Sequence, residues 1–165
     1  LDSDNSPQGD VMACCDPTCD ATFAAEDPSN PGSNYGCPTN YSKKNIDTGG
    51  AVMGPYSPGI SVKDHIWLSG QIDISQDGIE AQTKGTLTKI DGLLEAAGSS
   101  REDLVKVTVL MTDIGFYSTI NEVYSEWLGD VMPPSRAAYA VRDLPAGALV
   151  EIVCEAFRGS GVNES

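Results

Sequence analysis

From about residue 51 the chain switches repeatedly between two hydrophobic periods, and the order of the switches leaves few folds open. Gly59-Ile60-Ser61-Val62 and His65-Ile66-Trp67-Leu68-Ser69-Gly70 are two short strands turning at Lys63-Asp64. Ile79 to Ala97 is a helix, because Leu87, Ile90, Leu94 and Ala97 recur at three- and four-residue steps and Gly98 suits its C-terminal stop. Val105-Lys106-Val107-Thr108-Val109 alternates as a half-buried strand. Phe116, Ile120, Val123, Tyr124 and Trp127 mark a second amphipathic helix. Two more strands follow, roughly 136–142 and 149–157. The order ββαβαββ predicts an α+β sandwich: a mixed sheet with two helices on one face. The other face then needs a cover, and in a sheet this small the expected cover is another subunit.

Residues 1–50 are of a different kind. They are rich in Asp, Ser, Asn, Pro and Gly, hold 8 acidic and 2 basic residues, and show no periodicity. Four of the five cysteines lie there: Cys14, Cys15, Cys19 and Cys37. Disulfides among them, such as Cys15 or Cys19 to Cys37, would staple a segment that has little core, and would imply an oxidising compartment. A metal site is disfavoured, since Cys14-Cys15-x-x-x-Cys19 lacks paired C-x-x-C spacing and a nearby histidine. The fifth, Cys154, falls in an apolar strand and is expected in the core. Asn40-Tyr41-Ser42 and Asn163-Glu164-Ser165 fit the N-glycosylation pattern. The expected organisation is an acidic, cysteine-bearing extension over 1–50 that contacts neighbours, a domain over 51–160 and a short tail over 161–165. Residue 1 is Leu, so a mature chain with its targeting segment removed is one expectation. The expected location is secreted or an oxidising lumen, with an organelle matrix as the alternative.

The formal charge is −14, from 10 basic and 24 acidic side chains. Such a surface repels phosphate backbones, which argues against a nucleic-acid partner. No apolar run approaches the roughly 20 residues of a membrane helix, so no membrane partner is expected.

Two charged residues stand out in the last two strands. Arg136 opens the run Ser135-Arg136-Ala137-Ala138-Tyr139-Ala140-Val141. A guanidinium grips a carboxylate through two parallel hydrogen bonds and keeps its charge. Glu151 lies in Leu149-Val150-Glu151-Ile152-Val153, between positions that have the pattern of a core. A carboxylate there can hold a water. Together the two groups suit binding and hydrolysis of a small acid without metal or cofactor. By strand parity Arg142 shares the side of Arg136, and Glu155 that of Glu151. His65, the one histidine, is expected at the surface of the hairpin, and it leaves no histidine for a catalytic triad.

Several stretches carry a resemblance. They are Gly54-Pro55-Tyr56-Ser57, Leu68-Ser69-Gly70-Gln71-Ile72, Glu80-Ala81-Gln82-Thr83 and Leu94-Glu95-Ala96-Ala97-Gly98-Ser99-Ser100. Val105 to Val109, Ile120-Asn121-Glu122-Val123-Tyr124, Pro134-Ser135-Arg136-Ala137-Ala138, Leu144-Pro145-Ala146-Gly147 and Val150-Glu151-Ile152 complete the set. In order and spacing, from about Val52 to Gly159, the chain resembles the RidA/YjgF family of reactive-imine deaminases. The resemblance implies a chorismate-mutase-like fold and a homotrimer with inward-facing sheets and active sites in the clefts between subunits. It also implies the hydrolysis of small 2-imino acids to 2-oxo acids and ammonia without a cofactor. Carried over by motif, Arg136 binds the substrate carboxylate and Glu151 positions the water. Tyr56 closes over the ligand, Ser69 and Gly70 bring backbone close to it, Asn121 hydrogen-bonds across the subunit seam, and the backbone of Ala138 contacts the carboxylate. Many members have a second glutamate two residues after the first, where this chain has Val153.

Two other classes of function remain open on sequence grounds. The extension could link trimers through strand addition or an intermolecular disulfide into a secreted polymer or filament. Alternatively, the chain could bind small acids without turning them over.

Overall fold

Lys63 and Asp64 turn the chain between β2 (Gly59–Val62) and β3 (His65–Gln71), as expected, with Lys63 in the left-handed region at φ 52°. The computed structural model describes residues 42–161. The remaining strands and α-helices are β1 (Lys44–Ile46), α1 (Ile79–Ala96), β4 (Leu104–Met111), α2 (Tyr117–Leu128), β5 (Ser135–Ala140) and β6 (Val150–Phe157). Cys14, Cys15, Cys19, Cys37, Asn40 and Asn163 lie outside the described residues, so the readings placed on them do too.

The six strands form one mixed sheet in the order β1-β2-β3-β6-β4-β5. β6 pairs antiparallel with both β3 and β4. β4 and β5 run parallel, and α2 supplies the crossover that a parallel pair requires. β5 therefore lies at one edge of the sheet.

Alternation along the central strands sets the core. Val150, Ile152, Cys154 and Ala156 of β6 are buried, as are Val107, Val109 and Met111 of β4. Leu87, Ile90, Leu93 and Leu94 of α1 and Ile120, Val123, Tyr124 and Leu128 of α2 join the same cluster, so both helices pack on one face of the sheet. Burial pushes the Cys154 thiol up to about 12, which suits a small core residue. The opposite face carries Ile60, Val62, Trp67, Leu110 and Val153, all half-buried, and Tyr139, which is 57% exposed.

Glycine ends α1 as expected. Gly98 takes φ 68°, its N–H donates to the Glu95 carbonyl and the Ser99 N–H to that of Leu94, a Schellman closure of the helix. α2 starts at Tyr117. Phe116 sits in a short 3-10 turn before it, where the Asp113 side chain accepts from the Gly115 N–H at 2.8 Å.

Two boundaries differ from the periodic reading. β1 falls inside the stretch that shows no pattern, and its Ile46 is 4% exposed. It pairs with Gly59, where an added Cβ would lie 3.3 Å from the Ile46 Cβ and 2.8 Å from a Leu68 methyl. Absence of a side chain at 59 is what admits Ile46 to the core. β5 stops at Ala140, short of 142, and Arg142 instead pairs with Asp143 at 2.6 Å, its side chain 95% exposed.

Candidate active site

Glu151 projects from β6 on the sheet face away from the helices. It is paired with Leu110, while the residues on either side of it are core. Its carboxylate lies directly over Gly70, where a Cβ would sit 1.7 Å from Oε1. The backbone at this point is bulged: β3 and β6 lose register between Leu68 and Gln71. A bulge inserts a residue and re-aims its neighbours. The Ser69 hydroxyl fixes the bend by donating to the Ser57 carbonyl at 2.7 Å, and its N–H donates to the Pro58 carbonyl. This ties the bulge to the Gly54–Pro58 loop, which carries Tyr56. Tyr56 is 48% exposed, and its hydroxyl accepts from the Met53 N–H at 3.4 Å. Tyr56, Ser69, Gly70 and Glu151 thus line one cleft of about 400 Å³, together with Met53, Ile72 and Pro145.

Desolvation in that cleft raises the Glu151 pKa. Among the described residues its carboxylate has no ion-pair or hydrogen-bond partner. It is a half-buried carboxylate with no partner among the described residues, which leaves it free to take up a proton. Val153, two residues on, shares this face and adds no second carboxylate. Glu155, further along the face, is taken up by Lys106 at 3.3 Å and lies 3.7 Å from His65 Nε2. His65 itself is half-exposed and stacks on Trp67 at 3.8 Å between ring centroids.

Arg136 lies on the other side of the sheet. It pairs in register with Val107, and Val107 with Cys154, both buried under the helices. From the edge strand its side chain meets α2. Nη2 donates to Asn121 Oδ1 at 2.6 Å, and the guanidinium carbon lies 4.9 Å from the centre of the Tyr124 ring and 6.0 Å from that of Tyr117. Asn121 therefore meets the arginine within one chain, whereas the expectation for it was a hydrogen bond across the subunit seam. Ala138 is two residues along β5 from Arg136 and packs against the core. No carboxylate among the described residues pairs with Arg136.

The expected residues thus fall into two groups within one chain. Tyr56, Ser69, Gly70 and Glu151 form one; Asn121, Arg136 and Ala138 form the other. A single chain does not bring Arg136 and Glu151 together, because a residue paired with Val107 and a residue paired with Leu110 face opposite ways.

Three further contributors were not singled out from sequence. Tyr117 and Tyr124 flank the arginine, although Tyr124 was legible as an apolar helix position and as the end of the stretch 120–124, with no role assigned to it. Gln82 is buried on α1. Its Oε1 accepts from the Leu149 N–H at 2.9 Å and its Nε2 donates to the Gln76 carbonyl at 3.2 Å, so it pins the chain just ahead of Glu151. The signal for it was a polar residue on the inward side of a helix. Among the described residues no cluster of three or more His, Cys, Asp or Glu side chains is placed to hold a metal ion. No described helix is long and apolar enough to cross a membrane.

Known proteins share this architecture. The profile of the family described as Endoribonuclease L-PSP matches residues 48–158. The 2-iminobutanoate/2-iminopropanoate deaminase of Bos taurus is 39% identical over 116 residues, spanning 66% of this chain and 84% of that protein. The human protein of the same name is 37% identical over 115 residues, spanning 66% and 83%. The crystal structure of RidA from the Antarctic bacterium Psychrobacter sp. PAMC 21119 superposes with a TM-score of 0.66 at 33% identity, over 69% of this chain and 98% of that one. A profile match across most of the chain, with the same fold at that level of identity, means that this protein belongs to the Endoribonuclease L-PSP family, the family of the RidA proteins.

Proposed function

We propose that the protein is a hydrolytic deaminase of small 2-imino acids, working at clefts between the subunits of a homotrimer. One observation carries the reading. Among the described residues neither Arg136 nor Glu151 has an ion-pair partner, and the two occupy opposite sides of one sheet. A site that uses both must take them from two chains. The half-buried apolar face that carries Glu151 is the surface a neighbouring subunit would cover. The names of the relatives supply the substrate class.

In this reading the substrate carboxylate takes the Arg136 fork from one chain. The imine carbon then lies over the Glu151 cleft of the next, closed by Tyr56. Glu151 holds a water and accepts its proton as the oxygen adds to the imine carbon. That proton passes to the nitrogen, giving a carbinolamine; Glu151 then takes the hydroxyl proton and delivers it to the nitrogen as the carbon–nitrogen bond breaks, and 2-oxo acid and ammonia leave. The chemistry needs no electron transfer, and the imine carbon is already electrophilic, so no cofactor is called for.

The test couples an L-amino-acid oxidase to semicarbazide, which traps the free imine. The protein is expected to suppress semicarbazone formation, and Arg136→Ala to abolish the suppression. If wild type leaves semicarbazone formation unchanged, the deaminase reading fails. If it then still binds 2-oxobutanoate, the protein is a small-acid binder. Light scattering at the same concentrations is expected to return three chain masses.

A further inference from the structure

The cleft that holds Glu151 does not end at Gly70. A second cavity of about 460 Å³ adjoins it, and Met53, Tyr56, Gly70 and Ile72 line both. This second space lies between the loop over residues 48–58, the end of β3 and the turn of α1 that carries Lys89, Gly92 and Leu93. Its lining is largely apolar, and Val52, Met53, Tyr56 and Ile74 are exposed there. Its two long polar side chains are committed within the chain. Lys89 Nζ donates to the Ile72 carbonyl at 2.7 Å and to Asp73 Oδ1 at 3.4 Å, and Gln71 Nε2 donates to the Ser69 carbonyl at 2.9 Å. Exposed apolar side chains gathered round a concavity mark a place for an apolar group.

The wall between the two spaces is thin. Gly70 brings no side chain to it. Met53 brings an unbranched, adaptable chain that can fold aside. The reacting group decides what lies against this wall. An imine carbon is planar, and its substituents are the nitrogen, the carboxylate and the side chain. With the carboxylate drawn to Arg136 of the next chain and Glu151 at the carbon, the side chain is left to the walls of the cleft. Once that side chain is longer than a methyl group, the adjoining cavity is the apolar space it meets.

We propose that the adjoining cavity is the subsite for the substrate's side chain, and that it fits the protein to 2-imino acids with a long, unbranched, apolar side chain, such as those formed on oxidation of norleucine or methionine. The inference rests on the reading of the protein as an imine deaminase, and goes beyond it by naming the substrate class. Gly92 is the specificity-determining residue, because it keeps the helix side of the cavity open. Among the described residues a Cβ at this position would come within 4.0 Å only of the Thr48 methyl, so a side chain placed there extends into the cavity.

The test uses the full chain and the imines that an amino-acid oxidase forms from alanine and from norleucine. Gly92→Leu fills the cavity at a helix position where leucine is favoured over glycine, so the variant is expected to fold. Wild type is expected to hydrolyse the norleucine imine with the higher kcat/KM. Gly92→Leu is expected to lower the norleucine-to-alanine ratio by about tenfold or more, since three added methylenes at about fourfold each set a ceiling of about 60-fold. Ala51→Leu fills the same cavity from the loop side and is expected to act likewise, which keeps the test open should Gly92→Leu not fold. A wild type that prefers the alanine imine, or a ratio within about twofold of wild type in the folded variants, would overturn the proposal. So would loss of the three-chain assembly on filling, because the cavity would then seat a neighbouring subunit. Binding separates this failure from failure of the deaminase reading. NMR titration with pyruvate and 2-oxohexanoate, which do not react, is expected to show the longer acid bound more tightly by wild type and the preference lost in Gly92→Leu. If wild type shows that pattern but leaves both imines untouched, the deaminase reading falls and the subsite stands. If wild type binds the two acids equally, or neither, the subsite falls.

Discussion

The Glu151 carboxylate rests against the bare α-carbon of Gly70. A methyl built there would lie 1.7 Å from Oε1 and 2.7 Å from Cδ. Glycine at 70 is thus a requirement of the carboxylate's position, and the bulge at Ser69–Gly70 is what brings the two together. The clashing atoms are the far end of a flexible side chain, so Gly70→Ala moves Glu151 and leaves the sheet in place. The variant is expected to fold, with an unchanged far-ultraviolet circular dichroism spectrum. Its imine-hydrolysis kcat should fall about 100-fold, the scale for a reacting group displaced by an ångström. Full activity would separate Glu151 from the chemistry.

Arg136→Lys keeps the charge and removes the fork. A lysine cannot reproduce a bidentate grip or stack flat on Tyr124. KM for the imine is expected to rise roughly 10- to 100-fold, the worth of one charge-assisted hydrogen bond. Steady-state kinetics on the coupled oxidase assay gives the number. An unchanged KM would place the substrate carboxylate elsewhere.

Burial raises the Glu151 pKa, and the sign of the consequence is fixed. If the carboxylate accepts the proton of water, kcat/KM rises with pH through a limb lying above the ordinary glutamate value of about 4.3. Glu151→Gln should erase the limb along with the rate. Stability runs the other way. Between the unfolded and the raised folded pKa the native chain holds a proton that the unfolded chain has released, so stability falls as pH rises through that window. Urea midpoints of wild type and Glu151→Gln across this range are expected to diverge, with the variant losing less.

Gln82 offers a test of support at a distance. Gln82→Ala removes the acceptor of the Leu149 N–H immediately before β6. Leaving that partly buried donor without its partner costs about 1–3 kcal/mol. Urea unfolding should show it as a lower midpoint at an unchanged slope.

Tyr124→Phe removes a buried hydroxyl that has no partner among the described residues and keeps the ring beneath Arg136. The variant is expected to match wild type in pyruvate affinity and to equal or exceed its stability by about 1 kcal/mol. A marked loss of stability would mean that the hydroxyl is satisfied by an ordered water.

Periodicity alone determined the helices, the alternation of β6 and the burial of Cys154, because each depends on residues a few steps apart in one chain. It placed Gly98 at a helix end, since a left-handed residue closes a Schellman turn at low cost there. It also put Glu151 out of phase with the core of its own strand. It could not place β1, whose three residues are too few to show a period and whose burial depends on Gly59 in another strand. Nor could it relate Arg136 to Glu151. Parity fixes the faces within a strand, whereas the register between strands decides which faces coincide. Only the folded sheet, with β6 set between β3 and β4 and β5 at the edge, puts Arg136 in line with Val107 and Glu151 in line with Leu110, and so on opposite sides. The Tyr117–Asn121–Tyr124 cradle has the same origin. Helical spacing made it a stripe, and the crossover from β4 to β5 laid that stripe against one arginine.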